Sequence, residues 1–237
     1  MAQENLKAQI QRVGKSIDAL KRNALARRSK LLSSRSIDVV LDVGANTGQY
    51  SLQLRKMGWS GPIVSFEPLE SAHQLLARRA KKDKSWTTHQ FALGARDTSL
   101  TINVSGDSRA SSLLPILPAH LAVASYFKTV ATETVSVRKL DSVIDECAGG
   151  KKRIFLKIDA QGYEKKILAG AKKTFDRIQG VQLEMSLTPL YQGEPALEEM
   201  LRYMKKLGFR LMSLEYGFTN PKTGEMLQVE GLFFRDY

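Results

Sequence analysis

Two glycines after a short apolar run mark the first place where this chain could bind a ligand. Residues 39–43 are rich in β-branched and apolar side chains, and Gly44 and Gly48 bracket the turn that follows. Glycine lets a backbone turn sharply and approach a ligand closely. A second apolar run, residues 63–66, ends at Glu67, whose carboxylate can accept hydrogen bonds from both hydroxyls of a ribose. Together these features predict a nucleoside-binding site.

The spacing around the turn separates three kinds of nucleotide site. A dinucleotide site requires G-x-G-x-x-G, but the matching positions here are Asp42, Gly44 and Thr47. A P-loop requires a lysine after its last glycine, and none follows Gly48. An acidic residue followed by two glycines four positions apart is instead typical of sites for S-adenosylmethionine (SAM), a cationic cofactor that the Asp42 carboxylate suits. A tight turn without a ligand is disfavoured, because it would leave Glu67 unexplained.

Four motifs resemble the FkbM family of SAM-dependent O-methyltransferases in their order and near their spacing. They are DVGANTGQYS at 42–51, FEP at 66–68, LKIDAQGYE at 156–164 and LAGA at 168–171. The resemblance runs from about residue 37 to the C-terminus. It implies a Rossmann-like class I fold, in which a seven-stranded, mostly parallel sheet carries helices on both faces and ends in an antiparallel hairpin. Gln161 departs from the family, because many members have glutamate there, so that glutamate's role is not transferred.

Strands alternate with helices along the chain, which by itself predicts an α/β fold. The predicted core strands are 39–43, 63–66, 86–93, 154–158, 181–185, 209–215 and 227–235. An inserted strand at 98–104 is predicted to pair with 135–137, and the predicted helices include 72–84, 163–175 and 196–207. Ligands of doubly wound sheets lie beyond the carboxyl ends of the strands. The cofactor contacts expected there are Asp42, Gly44, Ala45, Asn46, Thr47, Gly48, Tyr50, Glu67, Pro68, Ala92, Leu93 and Asp159.

Methyl transfer to an alkyl hydroxyl needs a base or a metal, because a neutral hydroxyl is a poor nucleophile. Asp159, at the tip of the fourth strand, is the best-placed base, and Glu184 is a second carboxylate at the fifth tip. Lys157 requires a carboxylate partner, since an unpaired charge on that strand would be costly. The candidate partners are Asp159, Glu184 and Asp42. Lys157 either holds the strand ends together or orients substrate or base. A divalent cation held by Asp159 and Glu184 is the less favoured alternative, and no metal site is assigned.

The segment 105–129 is the predicted acceptor-recognition element. It combines polar residues 106–112 with Tyr126 and Phe127, which suit the ring and hydroxyls of a sugar. His120 becomes a catalytic candidate if this segment forms a lid. Residues 190–195 are a candidate for the other wall of the pocket, and the alternative for both segments is a surface excursion with a few residues packed into the core.

The charge of the chain is concentrated near its N-terminus. The net charge is +12, and residues 1–36 contain nine Lys or Arg against two acidic residues. Cys147, the single cysteine, excludes an intrachain disulfide, and no apolar stretch signals secretion or membrane spanning. A cytoplasmic location is therefore expected. We divide the chain into a basic amphipathic helical extension, 1–36, and a methyltransferase domain, 37–237.

An apolar stripe runs along the predicted N-terminal helix at alternating spacings of four and three. Its members are Leu6, Ile10, Val13, Ile17, Leu20 and Ala24. The helix either docks on its own domain or covers the cofactor cleft, forms a homodimer contact, or binds an anionic membrane surface or nucleic acid. Peripheral membrane contact stays open, and nucleic acid is disfavoured because the basic excess is mostly confined to this segment.

These observations predict a SAM-dependent O-methyltransferase acting on a hydroxyl of a sugar, glycan, glycolipid or secondary metabolite. One alternative is an RNA ribose methyltransferase. Residues 159–162, DAQG, replace the motif that amino-methylating enzymes use to hold a planar base, which disfavours base methylation only. The other alternative is a nonenzymatic SAM-binding or membrane-associated module.

Overall fold

The computed structural model describes residues 24–235 of the chain. Ten strands are present in this range: β1 Val39–Val43, β2 Ile63–Phe66, β3 Trp86–His89, β4 Ala92–Leu93, β5 Thr98–Ser105, β6 Thr129–Arg138, β7 Ile154–Ile158, β8 Ile178–Ser186, β9 Arg210–Tyr216 and β10 Gln228–Phe234. The helices are α1 at 24–34, α2 Gln49–Lys56, α3 Glu70–Ala80, α4 Pro118–Val123, α5 Leu140–Ala148, α6 Glu164–Ala169 and α7 Leu197–Lys206. Short 3-10 helices lie at Ser108–Ala110, Ser125–Phe127 and Phe175–Arg177.

The main sheet has seven strands in the order β3-β2-β1-β7-β8-β10-β9. Its first five strands in this order run parallel, and β10 pairs antiparallel with both β8 and β9. The predicted seven-stranded, mostly parallel sheet with a C-terminal antiparallel hairpin is therefore confirmed. Because the carboxyl ends of the parallel strands meet at one edge, the sheet gathers residues that are far apart in sequence.

Helices cover both faces of the sheet. Successive side chains of a strand point to opposite sides, so a strand whose residues are all apolar must be covered on both. Leu41 belongs to a core cluster that includes side chains of α5, α6 and α7. Val40, the preceding residue, packs in a second cluster with side chains of α1, α2 and α3. All five residues of β1 are buried, as expected for a central parallel strand.

A second sheet of three strands, in the order β4-β6-β5, lies beside the main sheet. The antiparallel pairing of β5 with β6 confirms the inserted strand and its partner. The single predicted strand 86–93 is wrong, because the chain leaves the main sheet after His89 and β4 pairs with β6 instead. Phe91 lies at this break, and its ring packs 5.5 Å from Phe66 and 5.6 Å from His89.

The predicted helix 163–175 is too long. The helix α6 ends at Ala169, where Gly170 packs so closely on the Gly94 carbonyl that a Cβ would lie 1.9 Å from its oxygen. Asp141 then accepts hydrogen bonds from the backbone N–H groups of Lys173 and Thr174. These contacts hold a tight turn where the sequence pattern indicated a continuous helix.

Helix α1 packs on the sheet and belongs to its core. Leu32 is 2% exposed within the cluster formed with α2 and α3, and the Arg35 side chain donates to the carbonyl of Arg235. For residues 24–34 the structure thus agrees with a helix docked on its own domain. The rest of the apolar stripe, before Ala24, lies outside the described residues, and the predictions of dimer or membrane contact stay untested. No helix within 24–235 is long and apolar enough to cross a membrane.

Candidate active site

A cavity of about 510 Å³ opens at the carboxyl ends of the parallel strands. Strands β1, β2, β7 and β8 contribute to its lining, together with β10 and the segment 105–129. The structure brings most of the predicted site residues together there: Gly44, Ala45, Asn46, Tyr50, Glu67, Pro68, Ala92, Leu93, His120, Lys157, Asp159 and Glu184.

The glycine turn is held against two neighbouring strands. Gly44 has a φ of +69°, and a Cβ on it would lie 1.8 Å from the carbonyl oxygen of Asp159. The N–H groups of Gly44 and Ala45 both donate to the carbonyl of Phe66, at 3.1 and 3.0 Å. The turn thus brings the bare backbone of β1 into contact with the tip of β7, which only glycine permits.

Glu67 is fixed by backbone donors on both carboxylate oxygens. The N–H of Asn46 donates to Oε2 at 2.8 Å, and the N–H of Leu69 donates to Oε1 at 2.9 Å. Burial raises the pKa of Glu67 to about 7, even though these two hydrogen bonds favour the charged form. A carboxylate has about four acceptor positions, so each oxygen keeps a free one for a ligand in the cavity.

Lys157 has the carboxylate partner that its position required. Its Nζ lies 3.1 Å from Oδ1 of Asp42 and 3.7 Å from Oδ2 of Asp159. Burial lowers the pKa of Lys157, but the charges of Asp42 and Asp159 outweigh this and hold it above its ordinary value. Asp42 also accepts from Ser51 Oγ at 2.8 Å. It is fully buried beneath the turn and does not line the cavity, so the structure gives it a supporting position.

Two more predicted cofactor residues lie outside the cavity lining. The carbonyl and the hydroxyl of Thr47 both accept from the guanidinium of Arg79. Gly48, with a φ of +89°, packs against the side chains of Trp86 and Leu76. Both residues therefore support the turn without lining the cavity.

Gln161 joins the two carboxylates proposed for catalysis. Its amide Nε2 donates to Asp159 Oδ1 at 2.8 Å and to Glu184 Oε2 at 2.7 Å. The hydroxyl of Tyr191 lies 2.8 Å from Gln161 Oε1, which orients the amide nitrogen toward the acids. Burial, followed by the charges of Asp159 and Glu230, raises the pKa of Glu184 well above its usual range.

This arrangement does not suit a cation between the two acids. The amide protons of Gln161 point at the carboxylate oxygens that a metal would need. Within 24–235, no group of three or more His, Cys, Asp or Glu side chains is placed to hold a metal ion.

His120 lines the cavity, but its environment is apolar. The ring packs 4.6 Å from Phe127, 5.3 Å from Tyr191 and 5.7 Å from Phe218. Burial lowers its pKa to about 4, so the imidazole is neutral at physiological pH. A catalytic role for His120 stays a prediction.

The segment 105–129 forms one wall of the cavity, with Ser108, Arg109, Tyr126 and Phe127 among its lining residues. The predicted second wall, 190–195, is wrong: these residues lie behind the first wall and do not line the cavity. Backbone hydrogen bonds from Leu117 to Leu190 and from Gln192 to Pro115 hold the two segments together. Because Tyr191 is only 1% exposed, it supports the site from within the core.

With this geometry in place, comparison with known proteins identifies the family. A family model described as the methyltransferase FkbM domain matches residues 42–211. The chain belongs to the FkbM methyltransferase family. That description is of a methyltransferase domain, and the matched residues contain the motifs at 42–51, 66–68 and 156–164 that predict SAM as the cofactor.

The most informative relatives of this FkbM methyltransferase are distant. The 2-O-methyltransferase NoeI of Sinorhizobium fredii is 24% identical over 169 residues, which are 69% of either chain. Methyltransferase 1 of Beauveria bassiana is 22% identical over 159 residues, and the match covers 62% of this chain and 64% of that protein. The chain thus spans slightly less than two thirds of this second relative.

One solved structure illustrates the distance to proteins of known structure. Magnesium protoporphyrin IX methyltransferase (ChlM) from Synechocystis PCC 6803, determined with bound SAM, is 11% identical, with a TM-score of 0.48. The superposition covers 94% of this chain and 83% of that one. A likeness at this level carries no functional argument, and the fold assignment rests on the strand order above.

Several cavity residues of this FkbM methyltransferase are not among the predicted site residues. Gln161 departs from the family pattern, and its place two residues after Asp159 is the one signal in the sequence that it shares the site. Gln228 and Glu230 reach the site because β10 is antiparallel to β8, which pairs them with Ser186 and Glu184. No local pattern in the sequence indicates that register.

Proposed function

We propose that this FkbM methyltransferase methylates an alkyl hydroxyl of a sugar, glycan, glycolipid or secondary metabolite, with Asp159 as general base. The position of Asp159 carries the proposal. Its side chain is 39% exposed in the cavity, and its own backbone carbonyl packs directly against Gly44 of the cofactor turn. The distant relative named as a 2-O-methyltransferase supports oxygen as the atom that is methylated.

The residues at the first two strand tips fit SAM. Glu67 keeps free acceptor positions for the ribose hydroxyls, and the turn at Gly44, Ala45 and Asn46 presents backbone to the methionine part of the cofactor. Pro68, Ala92 and Leu93 add apolar surface for the nucleoside. When bound, SAM supplies an activated methyl group.

Asp159 and Glu184 lie in different environments, which separates their roles. Asp159 is held in one orientation by the amide of Gln161 and by Lys157, and it is open to an incoming hydroxyl. Its carboxylate accepts the proton that the hydroxyl loses, provided that the hydroxyl lies within about 2.6–3.2 Å. The raised pKa of Glu184 favours its protonated form, so we assign it a hydrogen-bonding role.

The wall formed by 105–129 suits a sugar ring. Tyr126 is 61% exposed and packs edge-on against Phe127, so the pair offers aromatic surface at the cavity. Ser108 and Arg109 supply hydrogen-bonding groups beside it. Aromatic faces with a few polar groups are common in pockets for small polar ligands.

The test is a transfer assay with SAM labelled in its methyl group and extracts separated into glycan, lipid and RNA fractions. We expect label in the glycan or lipid fraction, and Asp159→Asn should reduce it by about 10²–10⁴-fold because the amide is not basic. Asp176→Asn is the matched control, since Asp176 is exposed and is not among the residues that line the cavity. SAM binding, measured by calorimetry, should survive both changes.

Three results would contradict this proposal. Label confined to RNA would favour ribose methylation instead. Turnover lost to a chelator and restored by Mg²⁺ would replace the base by a metal, and unchanged turnover in Asp159→Asn would remove Asp159 from either role.

A further inference from the structure

Arg28 is a buried arginine in the segment predicted as an N-terminal extension. It is 4% exposed, and its guanidinium donates to Gln53 Oε1 at 3.2 Å and to the carboxylate of Glu215. Its Nη2 lies 3.8 Å from Glu230, and its Cζ lies 5.2 Å from the centre of the Tyr50 ring. Gln53, Tyr50 and Glu230 all line the cavity, so helix α1 reaches the active site through this side chain.

Arg28 meets a row of three glutamates. Glu184, Glu230 and Glu215 are direct register partners across β8, β10 and β9. Directly opposite residues of antiparallel strands project to the same side, and like charges in such positions destabilise a sheet. Arg28 forms ion pairs with two of the three, Glu215 and Glu230, and so offsets this repulsion.

Hydrogen bonds through Gln182 also connect Tyr50, which Arg28 contacts, to Glu230. The hydroxyl of Tyr50 donates to Gln182 Oε1 at 2.9 Å, and the amide nitrogen of Gln182 donates to Glu230. With the cation–π contact of Arg28 over Tyr50, these bonds close a ring of four side chains. The ring lies between α1 and the cavity.

We infer that Arg28 is a positioning residue of the active site, which holds the Glu230 carboxylate in place at the cavity surface through their ion pair. Helix α1 thereby belongs to the catalytic domain. Burial raises the pKa of Glu230, and Arg28 opposes that rise. The other charged groups that act on Glu230 are Asp159, Lys157 and Glu215, and the Glu184 carboxyl faces it from β8. An ionised Glu230 adds negative charge to a cavity whose cofactor is cationic.

The experiment measures the titration of Glu230 in the free full-length protein. Glutamate labelled with ¹³C in its carboxyl group is followed by NMR, and Glu230→Gln identifies the resonance. Because an opposite charge this close lowers a carboxyl pKa by about 1–3 units, Arg28→Met should raise the midpoint of Glu230 by about that amount. Arg28→Lys should raise it less. The matched control is Arg27→Met on the exposed side of the same helix, which should leave it unchanged.

A second variant, which keeps Arg28, is expected to shift the titration midpoint of Glu230 in the opposite direction. Glu215→Gln removes a like charge and leaves Glu230 as the carboxylate partner of Arg28, so the midpoint of Glu230 should fall. The inference is overturned if Arg28→Met is folded and its midpoint equals that of Arg27→Met. It is also overturned if Glu215→Gln leaves the midpoint unchanged or raises it. Since no acceptor or methyl transfer is involved, this result is independent of the proposed hydroxyl chemistry.

Discussion

The two halves of the cavity are built by different means. The half that we propose binds the cofactor, the cofactor half, consists of the backbone at Gly44, Ala45 and Asn46 with one carboxylate, Glu67, whose donors are backbone N–H groups. The acidic half consists of side chains from several elements, among them Gln161 and the acids at the ends of β7, β8 and β10. The first half depends on the conformation of one short turn, whereas the second depends on strand register.

The difference extends to how each half fixes its carboxylates. Glu67 is held by the backbone N–H groups of Asn46, in the turn, and of Leu69, which are present whatever the side chains at these two positions are. Glu184 accepts from the side-chain amides of Gln161 and Gln228, and a substitution at either would remove a donor. We therefore expect backbone changes to damage the cofactor half, and side-chain changes to damage the acidic half.

The largest effect is expected from Gly44→Ala. The new Cβ would lie 1.8 Å from the Asp159 carbonyl oxygen, at a φ of +69° that L-residues disfavour. Strain and overpacking together should cost about 2–5 kcal/mol of unfolding free energy, and SAM binding should be lost. Thermal unfolding and calorimetry measure the two effects.

Gly58→Ala is the matched control for Gly44→Ala. Gly58 has a φ of +89°, but nothing lies within 4 Å of its added Cβ. It should therefore show only the conformational cost, about 1–2 kcal/mol, with SAM affinity intact. Equal losses in the two variants would mean that the close approach of the turn to β7 does not matter.

The same division explains how much the sequence could predict. The turn and Glu67 each follow an apolar run directly, so local pattern was enough to place them and the parallel strands. Asp42 was a candidate both for the cofactor and for Lys157, and the choice depended on the pairing of β1 with β7, which places Asp42 opposite Lys157. A single sequence does not contain that register.

The remaining differences also come from contacts between distant residues. Arg28 belongs to a basic segment whose charge suggested solvent or an external partner, yet its partners lie on β9 and β10. Residues 190–195 looked like a pocket wall because they follow a core strand, but Tyr191 is buried under 105–129. In both cases the tertiary partner, which composition does not reveal, decided the position.

Glu67→Gln tests how much the single carboxylate of the cofactor half contributes to SAM binding. Loss of charge-assisted hydrogen bonds to ribose should weaken SAM binding by roughly 1.5–3 kcal/mol. Because the pKa of Glu67 is about 7, wild-type affinity should also rise between about pH 6 and about pH 8, and this rise should vanish in the variant. Calorimetry across pH measures both, with exposed Glu70→Gln as the control. A pH-independent wild-type affinity would contradict the assignment.

The raised pKa of Glu67 also has a consequence for the stability of the free protein. A carboxyl whose folded pKa lies above its ordinary 4.5 contributes stability below about pH 4.5 and loses it as pH rises through about 7. As pH rises over that interval, the unfolding free energy of wild type should therefore fall relative to that of Glu67→Gln. Chemical unfolding of both proteins at several pH values measures it.

The smallest effect is expected from Tyr191→Phe, which tests the acidic half alone. The hydroxyl lies 2.8 Å from Gln161 Oε1 and 3.0 Å from the Ala110 carbonyl, so its removal takes away the one hydrogen-bond donor that these two buried acceptors share. The unfolding free energy should fall by about 1 kcal/mol, and turnover should fall because Gln161 no longer holds Asp159 firmly. SAM affinity should not change, because the cofactor half has its own backbone donors. Tyr216→Phe, at a side chain that is 76% exposed, should stay within about 0.5 kcal/mol of wild type. A loss of SAM affinity in Tyr191→Phe would show that the two halves are coupled and would end the distinction between them.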